Sequence, residues 1–233
     1  MIISHKYRFI FLKTVKTAGT SIEAYLSPLC GEDDVFTPIV PPVEGHEPRN
    51  HAGWFNPLPE FAASFSQGEG PLFEGLNTIK NLVRCKRYFP HMAAWKARCR
   101  MGRRTWNQYY KFCVERNPWD KTLSHYHMLK HRAGTDMTLD DYLANGRFCL
   151  NHPKYADKHG LLVDRVLRYD RLNDELGEVF SRLGVPYTGS LDVQAKSGYR
   201  KDRTHYRDIL TESQRDAIAS IYRREIEMHG FEY

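Results

Sequence analysis

The sequence KTAGTS at residues 16–21 combines a lysine, two small residues and three hydroxyl side chains, shortly after an apolar run that ends at Leu12. A short turn that leads from a strand into a helix exposes backbone N–H groups at the positive end of the helix dipole. Ala18 and Gly19 let the backbone approach a ligand closely, and the hydroxyl groups add donors. The stretch therefore predicts a binding site for a phosphate-like anion.

A second segment, KFCVERNPWDKTLSHY at residues 111–126, repeats this design. Its predicted strand is followed directly by Arg116, and Pro118 stands at a helix-start position. Asp120 and Ser124 then lie four residues apart, on one face of the predicted helix. The ends of parallel strands meet at one edge of a sheet, where ligands of such folds bind. We therefore expect the two anion-binding segments to face one crevice.

Strands and helices alternate along the rest of the chain. Aromatic and β-branched composition predicts three strands, at residues 8–12, 111–115 and 165–169. Helical periodicity and capping signals predict four helices, at residues 20–26, 118–130, 172–183 and 211 to about 230. This order predicts an α/β fold with a central parallel β-sheet flanked by helices.

Residues 31–80 break this periodicity with segments such as PIVPP and HEPRNHAGWFNPLP. An irregular excursion of this kind is typical of lids and substrate walls. The chain length of 233 residues is that of one domain. We therefore expect one domain over residues 1–233, in which the excursion forms part of a substrate site.

Composition limits the classes of function. The 34 Lys and Arg outnumber the 28 Asp and Glu, and the net charge of +6 favours an anionic partner. The five cysteines lie far apart without a C-x-x-C pair, which favours a reducing, cytoplasmic compartment over a disulfide framework. No apolar run reaches the roughly 18–20 residues that span a bilayer, so no transmembrane segment is expected.

The pair KTAGTS and RNPWDKTLS resembles the two nucleotide-binding motifs of the sulfotransferases, whose donor is 3′-phosphoadenosine 5′-phosphosulfate (PAPS). HMAAW at residues 91–95 and VLRYDRLNDELGEVFSRLGVP at 166–186 are similar to further segments of that family. Residues 206–233 resemble the closing helix of its carbohydrate-type and related bacterial members. The sequence departs from the family at Val15, Ala18, Glu115 and Asp170, where Pro, Gly, an apolar residue and Glu are usual.

The resemblance implies a P-loop NTPase-like three-layer sandwich and transfer of a sulfuryl group to a hydroxyl of a carbohydrate or glycolipid, without a metal. It implies that Lys16 contacts the 5′-phosphate and the bridging oxygen, and that Arg116 and Ser124 bind the 3′-phosphate. The other implied nucleotide contacts are Thr17, Ala18, Gly19, Thr20 and Ser21. Arg200 and Arg203, in a basic stretch near the C-terminus, are further candidates to close over the nucleotide, and a solvated charged loop is the alternative interpretation.

An acceptor hydroxyl needs a base, and the family pattern points to His91. His51 in the excursion is the other candidate, and a purely structural role for His91 is an equally good interpretation. Glu115 places a charge beside Arg116, and the sequence leaves open whether it weakens binding of the 3′-phosphate.

Two other functions remain open from the residues alone. The lysine of a P-loop nucleotide kinase follows the glycines, whereas Lys16 precedes the only glycine of its loop, which argues against a kinase. A non-catalytic protein could bind acidic glycans through a basic surface. We expect no nucleic acid polymer as partner, because no RNA- or DNA-binding motif is present, and the sequence does not indicate an oligomeric state. His127 and His131 lack a further ligand at metal-binding spacing.

Overall fold

The computed structural model describes residues 1–67, 71–191 and 204–233. The strands in these residues are β1 (Ile2–Ser4), β2 (Phe9–Leu12), β3 (Val35–Phe36), β4 (Tyr110–Glu115), β5 (Ala156–Asp157), β6 (Gly160–Leu161) and β7 (Arg165–Arg168). Five of them form one sheet in the order β3-β1-β2-β4-β7, and β5 pairs with β6 separately. The three predicted strands, which are β2, β4 and β7, are confirmed to within one residue at each end.

The central sheet is mixed. Strands β2, β4 and β7 run parallel, as predicted, but β1 is antiparallel to both β2 and β3. The prediction of a wholly parallel sheet was therefore wrong at this edge. Only residues 5–8 connect β1 to β2, and a connection of four residues is too short for the crossover that parallel neighbours require.

The helices in the described residues are α1 (Gly19–Leu26), α2 (Leu58–Gln67), α3 (Pro71–Val83), α4 (Ala94–Met101), α5 (Arg103–Gln108), α6 (Pro118–Ala133), α7 (Leu139–Ala144), α8 (His152–Tyr155), α9 (Leu172–Leu183), α10 (Tyr206–Ile209), α11 (Glu212–Ile221) and α12 (Arg223–His229). The predictions for α1, α6 and α9 are confirmed. The last predicted helix is instead divided into α11 and α12 at Tyr222, whose φ of -101° and ψ of 20° leave the helical range.

The excursion at residues 31–80 is not irregular throughout, which corrects the prediction. It contains β3, α2 and most of α3. Pro59 and Pro71 lie in the first turns of α2 and α3. Proline is tolerated there because the first N–H groups of a helix have no intrahelical partner.

Apolar side chains cover both faces of the sheet. Phe9 and Phe11 point to one face, where they pack with residues of α1 and α9. Ile10 and Leu12 point to the other face, where they pack with residues of α4 and α5. This alternation follows from the two-residue period of a strand. The result is an α/β fold in which the carboxyl ends of β2, β4 and β7 meet at one edge.

None of the helices in the described ranges is long and apolar enough to cross a membrane. All five cysteines are free thiols.

Candidate functional site

A cleft of about 1200 Å³ lies at the carboxyl ends of the three parallel strands. Each of these strands is followed by a segment that lines it: residues 13–21 after β2, Arg116 and one face of α6 after β4, and residues 169–174 after β7. Residues 38–40 and 90–91 complete much of the remaining wall. The two anion-binding segments predicted from the sequence therefore share one cleft.

The loop before α1 has a backbone suited to an anion. Lys16 and Ala18 both adopt left-handed conformations, with φ of 64° and 58°. Ala18 occupies the N-cap position and has no side chain that could cap the first amides of α1. Successive N–H groups in such a turn converge on one point, and the helix dipole adds partial positive charge there. The local backbone is thus preorganised for a phosphate or sulfate group.

Two side-chain contacts hold this loop in place from within. The Asn151 side chain forms two hydrogen bonds with the backbone of Val15. Its amide oxygen accepts from the Val15 N–H at 2.8 Å, and its amide nitrogen donates to the Val15 carbonyl at 3.1 Å. The hydroxyl groups of Thr14 and Thr17 are 2.7 Å apart and buried. The Thr17 hydroxyl is therefore engaged inside the loop, whereas the sequence indicated it as a ligand donor. Asn151 was missed, because nothing in its sequence context marks it.

Gly19 is required by close packing. A Cβ atom at this position would lie 2.7 Å from Cγ of Lys13. The Lys13 ammonium forms a buried ion pair with Glu23, which also binds the amino group of Met1. Lys13 lines the cleft and was not predicted as a site residue.

Arg116 is fixed on three sides. Its Nε and Nη2 atoms each lie 2.7 Å from Oδ2 of Asp120. Its Nη1 donates to the Lys16 carbonyl at 3.3 Å, and the guanidinium carbon lies 4.2 Å from the centre of the Tyr169 ring. The two basic segments are thus in direct contact.

Glu115 does not compete for the Arg116 guanidinium. Its carboxylate is buried and accepts from Lys121 at 2.8 Å and from the Tyr155 hydroxyl at 2.9 Å. Its contact with Arg116 is to the backbone N–H, at 2.9 Å. The sequence left open whether Glu115 competes for Arg116, and in the structure Asp120 is the carboxylate that holds the guanidinium.

One face of α6 forms a wall of the cleft. Asp120, Ser124, Met128 and Arg132 line it at intervals of four residues, as one side of an α-helix must. Ser124 lies one turn beyond Asp120. Arg132 adds a further cation, which was not predicted as a site residue.

His91 lines the same cleft and is neutral at physiological pH. Burial, followed by the charge of Lys13, lowers its pKa to about 4. Its Nδ1 is 3.1 Å from the Lys13 carbonyl oxygen. A carbonyl only accepts, so Nδ1 carries the proton and Nε2 carries the lone pair. The ring is therefore in a form that can accept a proton.

The cleft unites most residues predicted for the site: Lys16, Thr17, Ala18, Gly19, Thr20, Ser21, His91, Arg116 and Ser124. The alternative base His51 is not among its lining residues. The predicted contacts Arg200 and Arg203 lie outside the described residues. Of the excursion, Pro38, Ile39 and Val40 line the cleft, whereas α2 and α3 do not.

A protein of Archaeoglobus fulgidus, which bears the name "Uncharacterized protein", is 31% identical to this chain over 120 residues. The match covers 47% of this chain and 98% of the archaeal protein. The two proteins belong to one family. No family model and no solved structure matches the chain. The name of this archaeal family member states no activity, so the chemistry is argued from the cleft.

Among the side chains that line the cleft, cations outnumber carboxylates. The cations among them are Lys13, Lys16, Arg116, Arg132 and Arg171, and the carboxylates are Asp120, Asp170 and Asp174. In the described part of the chain, no group of three or more His, Cys, Asp or Glu side chains is placed to hold a metal ion. Backbone amides, a lysine and an arginine are the donors that a phosphorylated ligand requires.

Proposed function

We propose that this protein is a sulfotransferase that moves a sulfuryl group from PAPS to a hydroxyl of a carbohydrate or glycolipid by in-line displacement. The observation that carries the proposal is the single cleft lined by Lys16, Arg116 and His91. A doubly phosphorylated adenosine needs two anion sites within one cavity, and the presence of both basic segments in one cleft supports this assignment. A P-loop NTPase-like fold is part of the proposal, supported by the β2, loop and α1 unit at the centre of the sheet.

We assign the donor groups to the two ends of such a nucleotide. The loop amides and Lys16 would hold the 5′-phosphosulfate end, and Arg116 with Ser124 would hold the 3′-phosphate. Asp120 accepts from Nε and Nη2 of Arg116, and Nη1 donates to the Lys16 carbonyl. A guanidinium has five N–H groups, so we assign the phosphate to the second N–H of Nη1 and of Nη2. Donors that are oriented before binding need no reorganisation during the reaction.

PAPS would supply the sulfuryl group and its leaving phosphate. The Lys16 ammonium would stabilise the negative charge that develops on the bridging oxygen. His91 would take the proton of the acceptor hydroxyl on Nε2. A pKa of about 4 makes the ring a weak base, but an anion bound beside it favours the imidazolium form and raises that pKa.

Calorimetric titration with the product 3′-phosphoadenosine 5′-phosphate (PAP) tests the proposal directly. Adenosine 5′-phosphate and adenosine 3′-phosphate serve as probes of one end each. We expect Lys16→Ala to weaken binding of PAP and of the 5′-phosphate, and Arg116→Ala to weaken binding of PAP and of the 3′-phosphate. The exposed Lys158 provides the control Lys158→Ala, which should bind like the unaltered protein. Absence of PAP binding at micromolar concentration would refute the proposal.

The same variants separate the proposal from its alternatives. Loss of one preorganised donor typically costs about 3–4 kcal/mol of transition-state stabilisation, so Lys16→Ala should lower sulfuryl transfer by roughly two to three orders of magnitude. Magnesium-dependent ATP binding tighter than PAP binding would favour a nucleotide kinase. Binding of acidic glycans that survives Lys16→Ala and falls steeply with salt would favour a non-catalytic role.

The free thiols support a reducing compartment such as the cytoplasm.

A further inference from the structure

Helix α3 presents its apolar side to solvent. Leu72, Leu76 and Val83 are 85%, 68% and 74% exposed, and their spacing of four and seven residues places them on one face. The opposite face buries the polar residues Glu74 and Thr78. A surface helix normally buries its apolar face, so the orientation of α3 is inverted.

Helix α2 is inverted in the same way. Glu60 and Ser64 are buried, whereas Leu58 and Phe65 are 69% and 76% exposed. Together with Trp54, the exposed large apolar side chains of the two helices define what we call the α2–α3 face: Trp54, Leu58, Phe65, Leu72, Phe73, Leu76, Ile79 and Val83. These eight are two thirds of the large apolar side chains exposed in the described residues. A concentration of this kind marks an interaction surface.

Buried polar contacts lock the two helices in this orientation. Arg100 of α4 donates to both carboxylate oxygens of Glu60, at 2.6 and 2.9 Å, and Thr78 donates to the same carboxylate at 2.8 Å. Lys96 of α4 forms an ion pair with Glu74. Turning the apolar residues inward would break these bonds and leave buried charges unpaired, which is costly. The exposed apolar face is therefore a fixed feature of the fold.

In the described residues between positions 54 and 104, the exposed charged side chains are all cations. Lys80, Arg84 and Lys86 are exposed on and just beyond the end of α3. Between residues 54 and 104 the sequence has three carboxylates. Glu60 and Glu74 are buried and paired with cations, and Glu69 lies outside the described residues. The described part of this surface therefore combines apolar side chains with cations and no exposed carboxylate.

We propose that the α2–α3 face docks the protein on an anionic lipid bilayer. Apolar side chains would enter the boundary between head groups and acyl chains, and the three cations would lie against lipid phosphates. A second copy of the chain fits less well, since a self-complementary contact sets this cationic surface against itself. The inference is independent of the chemistry in the cleft.

Vesicle co-sedimentation with the full chain tests the docking. We expect binding to vesicles of phosphatidylcholine with one quarter phosphatidylserine, weaker binding to pure phosphatidylcholine, and a decrease as salt increases. The variant Leu72→Ser/Leu76→Ser should lower partitioning at least tenfold. Leu161 and Met228 are exposed apolar residues elsewhere, so Leu161→Ser/Met228→Ser is the matched control and should bind normally. Trp54 is 73% exposed, and its fluorescence should shift to the blue when anionic vesicles are added.

A charge pair of variants tests the electrostatic part. Lys80→Glu/Arg84→Glu should abolish the preference for anionic vesicles, whereas Arg147→Glu/Lys158→Glu, which changes two exposed cations elsewhere, should retain it. Vesicle binding that is equal in all variants would overturn the proposal. The proposal would also be overturned if the protein did not bind vesicles and sedimentation equilibrium found a dimer that Leu72→Ser/Leu76→Ser dissociates.

Discussion

At the scale of single residues, the guanidinium of Arg116 is oriented before any ligand arrives. Asp120 binds one edge, and the Tyr169 ring lies against its plane. An arginine held in this way loses little side-chain entropy when it binds an anion. The same carboxylate also lowers the net charge that the anion meets. Asp120 therefore weakens the attraction between Arg116 and an anion, but it fixes the orientation of the guanidinium.

We predict that His91 makes stability depend on pH. Burial lowers its folded-state pKa from 6.5 to about 4, so between these values the unfolded chain binds more protons than the folded one. The free energy of unfolding should then be highest above pH 6.5 and should fall toward pH 4, by up to about 3 kcal/mol from this residue. Urea unfolding between pH 7.5 and 4.5 measures the slope.

The variant His91→Gln should reduce that slope, whereas His159→Gln at an exposed position should leave it unchanged. His125 contributes in the same direction, because burial and the charge of Lys16 also lower its pKa to about 4. An unaltered slope in His91→Gln would show that the His91 ring is not buried in its neutral form.

At the scale of elements, one buried ion cluster ties β4, α6 and α12 together behind the cleft. Lys121 of α6 lies 2.8 Å from Glu115 at the end of β4 and 2.5 Å from Glu225 in α12. Burial disfavours the charge of Lys121, but the two carboxylates outweigh it and raise the lysine pKa. Burial raises the pKa of Glu225. The end of β4, which delivers Arg116, therefore depends on this lysine.

We predict that Lys121→Met lowers the free energy of unfolding by about 3–5 kcal/mol, because it leaves two buried carboxylates without a cation. Adding Glu225→Gln should recover part of the loss by removing one of those charges. Lys130→Met, a change of the same type in a partly exposed position of α6, should stay within about 0.5 kcal/mol. Urea denaturation of the four proteins measures these differences, and a loss below 1 kcal/mol in Lys121→Met would contradict the role of the cluster.

Two glycines in helices are expected to respond to alanine in opposite directions. At Gly19 the new Cβ would lie 2.7 Å from the Lys13 side chain, and relief of such a clash typically costs about 1–3 kcal/mol. At Gly177 in α9 the nearest atom is 3.7 Å away, so Gly177→Ala should stabilise the protein by about 0.5–1 kcal/mol. Thermal unfolding of both variants tests this, and similar effects at the two positions would show that Lys13 does not pack over Gly19.

The elements differ in how well the sequence predicts them. Helix α9 was predicted at both ends because its apolar period is regular and Gly184, with φ of 69°, stops it. Helices α2 and α3 were not predicted, because proline usually ends a helix, whereas Pro59 and Pro71 lie in first turns that tolerate it. The shared cleft of Lys16 and Arg116 followed from the rule for parallel strand ends. The bond between Asn151 and Val15 spans 136 residues, and no local pattern encodes a contact of that kind.

At the scale of the whole molecule, the α2–α3 face and the cleft are linked through α4. Lys96 and Arg100 anchor the two inverted helices on α4. Helix α4 begins three residues after His91, which lines the cleft. The cleft wall at His91 and the support of the α2–α3 face are therefore adjacent along the chain.

Binding of PAP should stabilise the molecule as one unit. The cleft is lined by residues from Lys13 to Leu191, so a ligand there contacts segments that lie far apart in the sequence. At a PAP concentration one hundred times Kd, linkage adds about 2.7 kcal/mol to the free energy of unfolding. For a domain of this size that amounts to roughly 5–10 °C in Tm. Differential scanning calorimetry should show one transition, and PAP should raise its Tm as a whole. Lys16→Ala should lose most of this increase in Tm at the same PAP concentration. The control Arg147→Ala should keep it. A second transition that PAP leaves in place would mean that the cleft does not couple the whole chain, which would contradict a single domain over residues 1–233.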